Sequence, residues 1–151
     1  MKFGSQNDDL VDFADAFHVQ PALNDLFFVD FIFNQEDRHS KNIGLIGKSL
    51  SPIFDSGACL HYHVLDTALS AYASAMPKHK TFGKPLDQLL EFSLKYLCPH
   101  FSFKFDEVHV QEVLDKILGS MADKYSEQRL IFVHKLVKER IANVGRILAK
   151  A

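Results

Sequence analysis

Asp37, Asn42 and Asp55 lie in one polar stretch, FNQEDRHSKNIGLIGKSLSPIFDSG (Phe33 to Gly57), directly after an apolar segment. Five positions separate Asp37 from Asn42, and eighteen separate Asp37 from Asp55. A carboxylate and an amide oxygen held side by side are hard donors that suit Mg²⁺, with phosphate oxygens and water completing the shell. A second carboxylate close by can orient a substrate hydroxyl and accept its proton. A base, a metal-binding amide and a metal-binding carboxylate are the parts of a phosphoryl-transfer site. Taken singly, each of the three is an ordinary turn residue. Only the set, at this spacing, points to chemistry.

The elements around the stretch must bring these side chains together. PALNDLFFVDFIFN places Pro21 in a first helical turn, where its missing N–H costs nothing. Leu23, Leu26, Phe27 and Phe31 then recur at helical spacing, and the helix is expected to end near Asn34. Two short apolar runs, Ile43–Ile46 and Pro52–Phe54, flank a Gly-Lys-Ser segment and predict two strands joined by a turn. A hairpin returns the chain to its start, so Asn42 before it and Asp55 after it can sit side by side. Gly57 gives the backbone freedom to turn the Asp55 carboxylate inward.

The rest of the chain reads as helices. DLVDFADAF (Asp9–Phe17) is a short one, and VLDTALSAYASAM is Ala-rich and stops before Pro77. MPKHKTFGKP is a polar loop. PLDQLLEFSLKYL puts Leu86, Leu89, Leu90, Ser93 and Leu97 on one stripe. Asp106 is the expected N-cap of the next helix, with Val110, Val113, Leu114, Ile117 and Leu118 as its buried face. Ser126 caps the last, where Leu130, Val133, Val137, Ile141, Val144 and Leu148 recur at helical period. The expected fold is mainly α, a single domain over residues 1–151 with one small β-hairpin at the polar cluster.

Composition narrows the function classes. Hydrophobic residues make up 47% and charged residues 24% of the 151, an ordinary globular balance rather than a disordered one. The start of the chain has no apolar signal core, and no run approaches the length of a membrane span. Cys59 and Cys98 form no CxxC, so a cytoplasmic, reduced protein is expected. Charge is uneven: residues 1–37 carry one Lys against eight Asp/Glu, a net −7, whereas residues 124–151 carry seven Lys/Arg against two Glu, a net +5. The basic end could touch nucleic acid or an acidic partner, although a solvated helix face is the plainer reading. A second constellation, Cys59, His61 and His63 with Cys98 and His100, has zinc-ligand residue types. Its alternating C-x-H-x-H spacing is unlike the usual C-x₂₋₄-C arrangement and argues against zinc.

DRHSKN followed by PIFDSG resembles the catalytic loop and metal-binding motif of the HipA-like kinases, and is similar to the DRHxxN and DxG pairing of phosphatidylinositol kinases. The flanks favour the bacterial HipA-like proteins. FFVDFIFNQEDRHSKNIGLI and LSPIFDSGACL resemble the family around its motifs, and FGKPLDQLLEFSLKYL and SEQRLIFVHKLVKERIANVGRIL resemble its helical C-terminal region. The likeness covers most of the chain. It implies a helical kinase C-lobe in which the loops flanking the hairpin bind metal and transfer phosphate from ATP to a protein hydroxyl. By the same resemblance, Asp37 is the catalytic base, His39 braces its loop, Asn42 and Asp55 hold Mg²⁺, and Lys41 and Arg38 face phosphate.

The chain departs from the family upstream of Asp37. KFGSQNDD is not a glycine-rich phosphate loop, and no strand there offers an ATP-binding lysine. The expectation is a truncated kinase, a C-lobe that needs an N-lobe or partner chain to be active. An exposed former interlobe surface would favour such a partner or a homodimer. The alternative is a catalytically inactive pseudokinase lobe acting as an interaction module. Its basic last helix would then meet nucleic acid or a regulatory protein, as HipA-like toxins pair with DNA-binding antitoxins.

Overall fold

A computed structural model of the chain describes residues 7–35, 37–53, 59–61, 64–69, 84–97 and 106–149. These residues are mainly helical, with one small antiparallel sheet. Helix α1 spans Asn7–Phe17 and α2 spans Gln20–Ile32. Strands β1 (Leu45–Ile46) and β2 (Ser49–Leu50) follow, then α3 (Leu86–Phe92), α4 (Glu107–Ser120) and α5 (Glu127–Leu148). Helix α3 runs on into a π-helical turn at Ser93–Leu97. Among the described residues no helix is long and apolar enough to cross a membrane.

Helix α2 is the central strut. It buries Leu23, Leu26, Phe27, Phe31 and Ile32 and leaves Ala22, Asp25 and Val29 on one exposed face. Its first half, Leu23, Leu26 and Phe27, joins Leu10, Phe13 and Leu89 in one apolar cluster. Its last residues, Phe31 and Ile32, join a second cluster with Leu90, Val137, Ile141 and Val144. Fully burying one such side chain is worth about 1.5–3 kcal/mol, so these clusters dominate the favourable side of folding. Two polar side chains of α2 are also buried, Asn24 and Asp30. Each has a partner. Ser93 Oγ donates to Asn24 Oδ1 at 2.8 Å across the α2–α3 interface, and Asp30 holds Arg38.

The ends of α1 and α2 are built alike. Each closes with a non-glycine residue at positive φ, His18 at 55° and Asn34 at 51°. Around Asn34 the N–H of Gln35 reaches the Asp30 carbonyl oxygen at 2.8 Å, and that of Asn34 reaches Phe31 at 3.4 Å. That pair of bonds is a Schellman closure, in which Asn is the usual substitute for Gly. It stops α2 at Ile32 and swings the chain into the polar stretch.

The hairpin is tighter than the sequence pattern predicts. Its second strand is Ser49–Leu50, with Leu45 opposite Leu50 and Ile46 opposite Ser49; of the expected strand Pro52–Phe54, Pro52 and Ile53 lie beyond the ladder and Phe54 lies outside the described residues. Gly47 at φ +64° opens a two-residue turn, which fixes this register. Pro52 has no N–H to donate and falls beyond the ladder.

The caps of the last two helices match the sequence reading. Asp106 accepts the His109 N–H at 3.0 Å, and Ser126 accepts that of Arg129 at 3.1 Å. The buried face expected for α4 is only half covered. Leu114 is buried, but Val113 and Ile117 are 39% and 47% exposed. The principal neighbour of α4 is α5, so only a narrow strip of α4 is shielded. Of the Ala-rich segment, Val64–Leu69 is described and forms a 3₁₀ turn at Asp66–Ala68. The remainder of that segment, and most of the following loop, lie outside the described residues.

Candidate functional site

The polar stretch is held from beneath by one buried ion pair. Arg38 Nε and Nη2 donate to the two carboxylate oxygens of Asp30, each at 2.9 Å. Both side chains are almost wholly buried, at 1% and 2% exposure. The remaining terminal nitrogen, Nη1, donates to the Asn42 carbonyl oxygen at 3.3 Å. The expectation that Arg38 faces phosphate is therefore corrected, since its guanidinium is turned inward and occupied. Burial pushes the Asp30 carboxyl above its ordinary range, while the hydrogen bonds and charge of Arg38 pull it back in part.

Above this pair the loop is closed by its own side chains. Ser40–Asn42 forms a 3₁₀ turn capped by His39. The Asn42 side chain donates from Nδ2 to the Asp37 carbonyl oxygen at 2.8 Å and accepts the His39 N–H on Oδ1 at 2.9 Å. His39 Nδ1 accepts the Lys41 N–H at 3.2 Å, which requires a ring with no hydrogen on Nδ1. Asp37 donates its own N–H to Gln35 Oε1 at 3.5 Å, a long contact to a fully buried glutamine.

Three of the sequence-derived site residues thus share one hydrogen-bonded loop. Asp37 presents an exposed carboxylate, His39 is exposed at the cap, and Asn42 is buried between them. Lys41 is exposed on the same turn. Asp55 lies outside the described residues, as do His63, Cys98 and His100. Among the described residues, no three His, Cys, Asp or Glu side chains cluster as a metal site.

A cleft of about 410 Å³ opens beside the loop, lined by Leu26 and Val29 of α2, by Arg38, Asn42 and Ile43, and by Ile53 of the segment after the hairpin. Asp25 lies on its wall. Asn42 Oδ1 has one acceptor position used by His39 and a second lone pair left. A hard cation or a donor in the cleft is what such an oxygen suits.

Sequence reasoning missed Asp30. A signal was present, because a lone carboxylate inside LFFVDFIF must find a partner if that helix is buried. Its partner eight positions on could not be named before the chain was seen to fold back. Comparison of the chain with protein-family models, with curated proteins and with solved structures returned no match.

Proposed function

We propose that this chain carries the catalytic and metal-binding half of a HipA-like kinase, transferring phosphate from Mg²⁺-bound ATP to a protein hydroxyl. The observation that carries the reading is the bond from Asn42 Nδ2 to the Asp37 carbonyl oxygen at 2.8 Å, which ties the base and the metal-side amide into one loop beside a cleft. Asp37 is the base that orients and deprotonates the acceptor hydroxyl. Asn42 and Asp55 would hold magnesium, and that donor set, one amide oxygen and one carboxylate, fits a hard cation. Bound magnesium supplies neutralisation of the phosphate charge. His39 and Lys41 stand on the same turn, His39 holding it and Lys41 available to phosphate. A nucleotide-covering lobe from elsewhere completes the cleft.

The test is magnesium-dependent ATP binding by calorimetry on the wild type, Asp37→Ala and Asp55→Ala. Wild-type binding that Asp55→Ala abolishes and Asp37→Ala retains is the expected pattern, since only the first is a metal ligand. Equal binding by all three would overturn the reading, and no binding by the wild type would mean an incomplete site and move the interaction reading ahead.

A second reading, an interaction module without catalysis, is favoured by one observation. An apolar cavity of about 200 Å³ lies between the end of α2, Leu60 and the inner faces of α4 and α5, with the half-exposed Val113 and Ile117 on its wall. A chain that binds no nucleotide yet has this cavity would favour a binding role.

A further inference from the structure

The structure assigns to Asp30 the role of a positioning residue, which acts through Arg38 to set the Asn42 side chain at the cleft. This rests on the kinase reading only for what the loop is for, not for the geometry. Three links connect the two ends. The Asp30 carboxylate takes two bonds from Arg38 at 2.9 Å, which fixes the plane of the guanidinium. That plane aims Nη1 at the Asn42 carbonyl oxygen, 3.3 Å away. The Asn42 side chain then joins the Asp37 carbonyl oxygen and the His39 N–H, at 2.8 and 2.9 Å.

Stability alone does not explain the pair. A buried ion pair is a weak source of folding energy, and well-packed apolar residues of similar size often do as well or better. What apolar residues cannot supply is direction. Lysine cannot supply it either, because a single ammonium has no rigid fork to grip both carboxylate oxygens while reaching the Asn42 carbonyl. The pair therefore does for the loop what packing would not: it holds the Asn42 backbone in place, and with it the side chain that ties Asp37 to His39 beside the cleft.

The test separates orientation from folding. Asp30→Leu with Arg38→Met replaces the pair by apolar side chains, and Arg38→Lys keeps the charge but removes the fork. Amide hydrogen exchange and the Asn42 side-chain NH₂ resonances are followed by NMR, with the amides of α4 and α5 as the internal reference. In the double variant the helix amides should keep their wild-type exchange. The His39 and Lys41 amides should exchange about tenfold faster or more, as local opening does once the anchoring bond is lost, and the Asn42 NH₂ pair should move to free-amide shifts. If the double variant does not fold, Arg38→Lys decides by the same signals. Wild-type exchange at His39 and Lys41, with an unmoved Asn42 NH₂ pair, in a folded variant would overturn the assignment. A wild type that binds no Mg-ATP moves the interaction reading ahead and leaves this outcome standing by itself.

Discussion

Among the described residues, two Arg–Asp pairs obey different physics. Asp30 and Arg38 are 2% and 1% exposed, whereas Asp66 and Arg129 are 39% and 13% exposed. In the first pair desolvation dominates, and the Asp30 carboxyl is raised although it is gripped by two bonds. In the second, hydrogen bonds from Ser126 and Arg129 dominate, and the Asp66 carboxyl is lowered. Arg129 also donates to the Val64 carbonyl oxygen, so the exposed pair staples the start of α5 to the 3₁₀ turn at Asp66–Ala68. The same two side chains thus make an orienting clamp in one place and a surface staple in the other.

The largest expected effect tests the buried pair. Asp30→Ala leaves the Arg38 guanidinium buried without its carboxylate and should cost about 3–5 kcal/mol in urea unfolding. A loss below about 1 kcal/mol, the range of an exposed pair, would erase the contrast between the two. Asp66→Ala should lower the melting temperature by less.

Acid distinguishes the pairs by sign. The folded Asp66 carboxyl is lowered from 3.8, so its contribution to stability is present above that value and is lost as pH falls through the folded value. For Asp30, raised from 3.8, the unfolded carboxyl ionises first as pH rises, so its contribution is fullest below 3.8 and declines as pH climbs through the folded value. Stability measured from pH 5 down to 2.5, a range about the ordinary carboxylate value, should fall less steeply in Asp66→Asn than in the wild type. Equal slopes would mean that Asp66 is not held as described.

The smallest effect belongs to a third contact, where His134 Nε2 lies 3.1 Å from Asp115 Oδ1 with side chains 40% and 57% exposed. Asp115→Asn should change stability by under about 1 kcal/mol. A loss as large as that of Asp30→Ala would show that exposure does not set the ranking.

What could be read from the sequence was local. Asp106 and Ser126 announced their helices because a cap needs only its own side chain and an N–H three residues on. Leu23, Leu26, Phe27 and Phe31 announced a buried helix by spacing. The apolar pattern points to the right stretch for the hairpin but puts its second strand three residues late, because Gly47 decides the register and the apolar run at Pro52 does not. The clustering of Asp37, His39 and Asn42 was foreshadowed by their closeness in the chain, whereas the inward turn of Arg38 was not. An arginine beside a candidate phosphate site reads as a phosphate ligand until the carboxylate beneath it is seen. The exposure of Val113 and Ile117 was equally hidden, since periodicity shows which residues share a face but not how much of that face a neighbour covers.

The Asn34 turn has a consequence for synthesis. Arg140, in the middle of α5, is 5% exposed, stacks over the Phe31 ring and donates to Asn34 Oδ1 from 106 positions further along the chain. A ribosome delivers α2 and the polar loop long before it delivers that guanidinium. Until then the turn that launches the loop has its own backbone bonds but not this outer brace, and α2 lacks half of its apolar cover. Domains tend to fold as units during translation. In this one the segment with the most chemistry is made early and finished late, so a chain that stops before residue 140 would carry every motif residue of the loop without the helix that braces it.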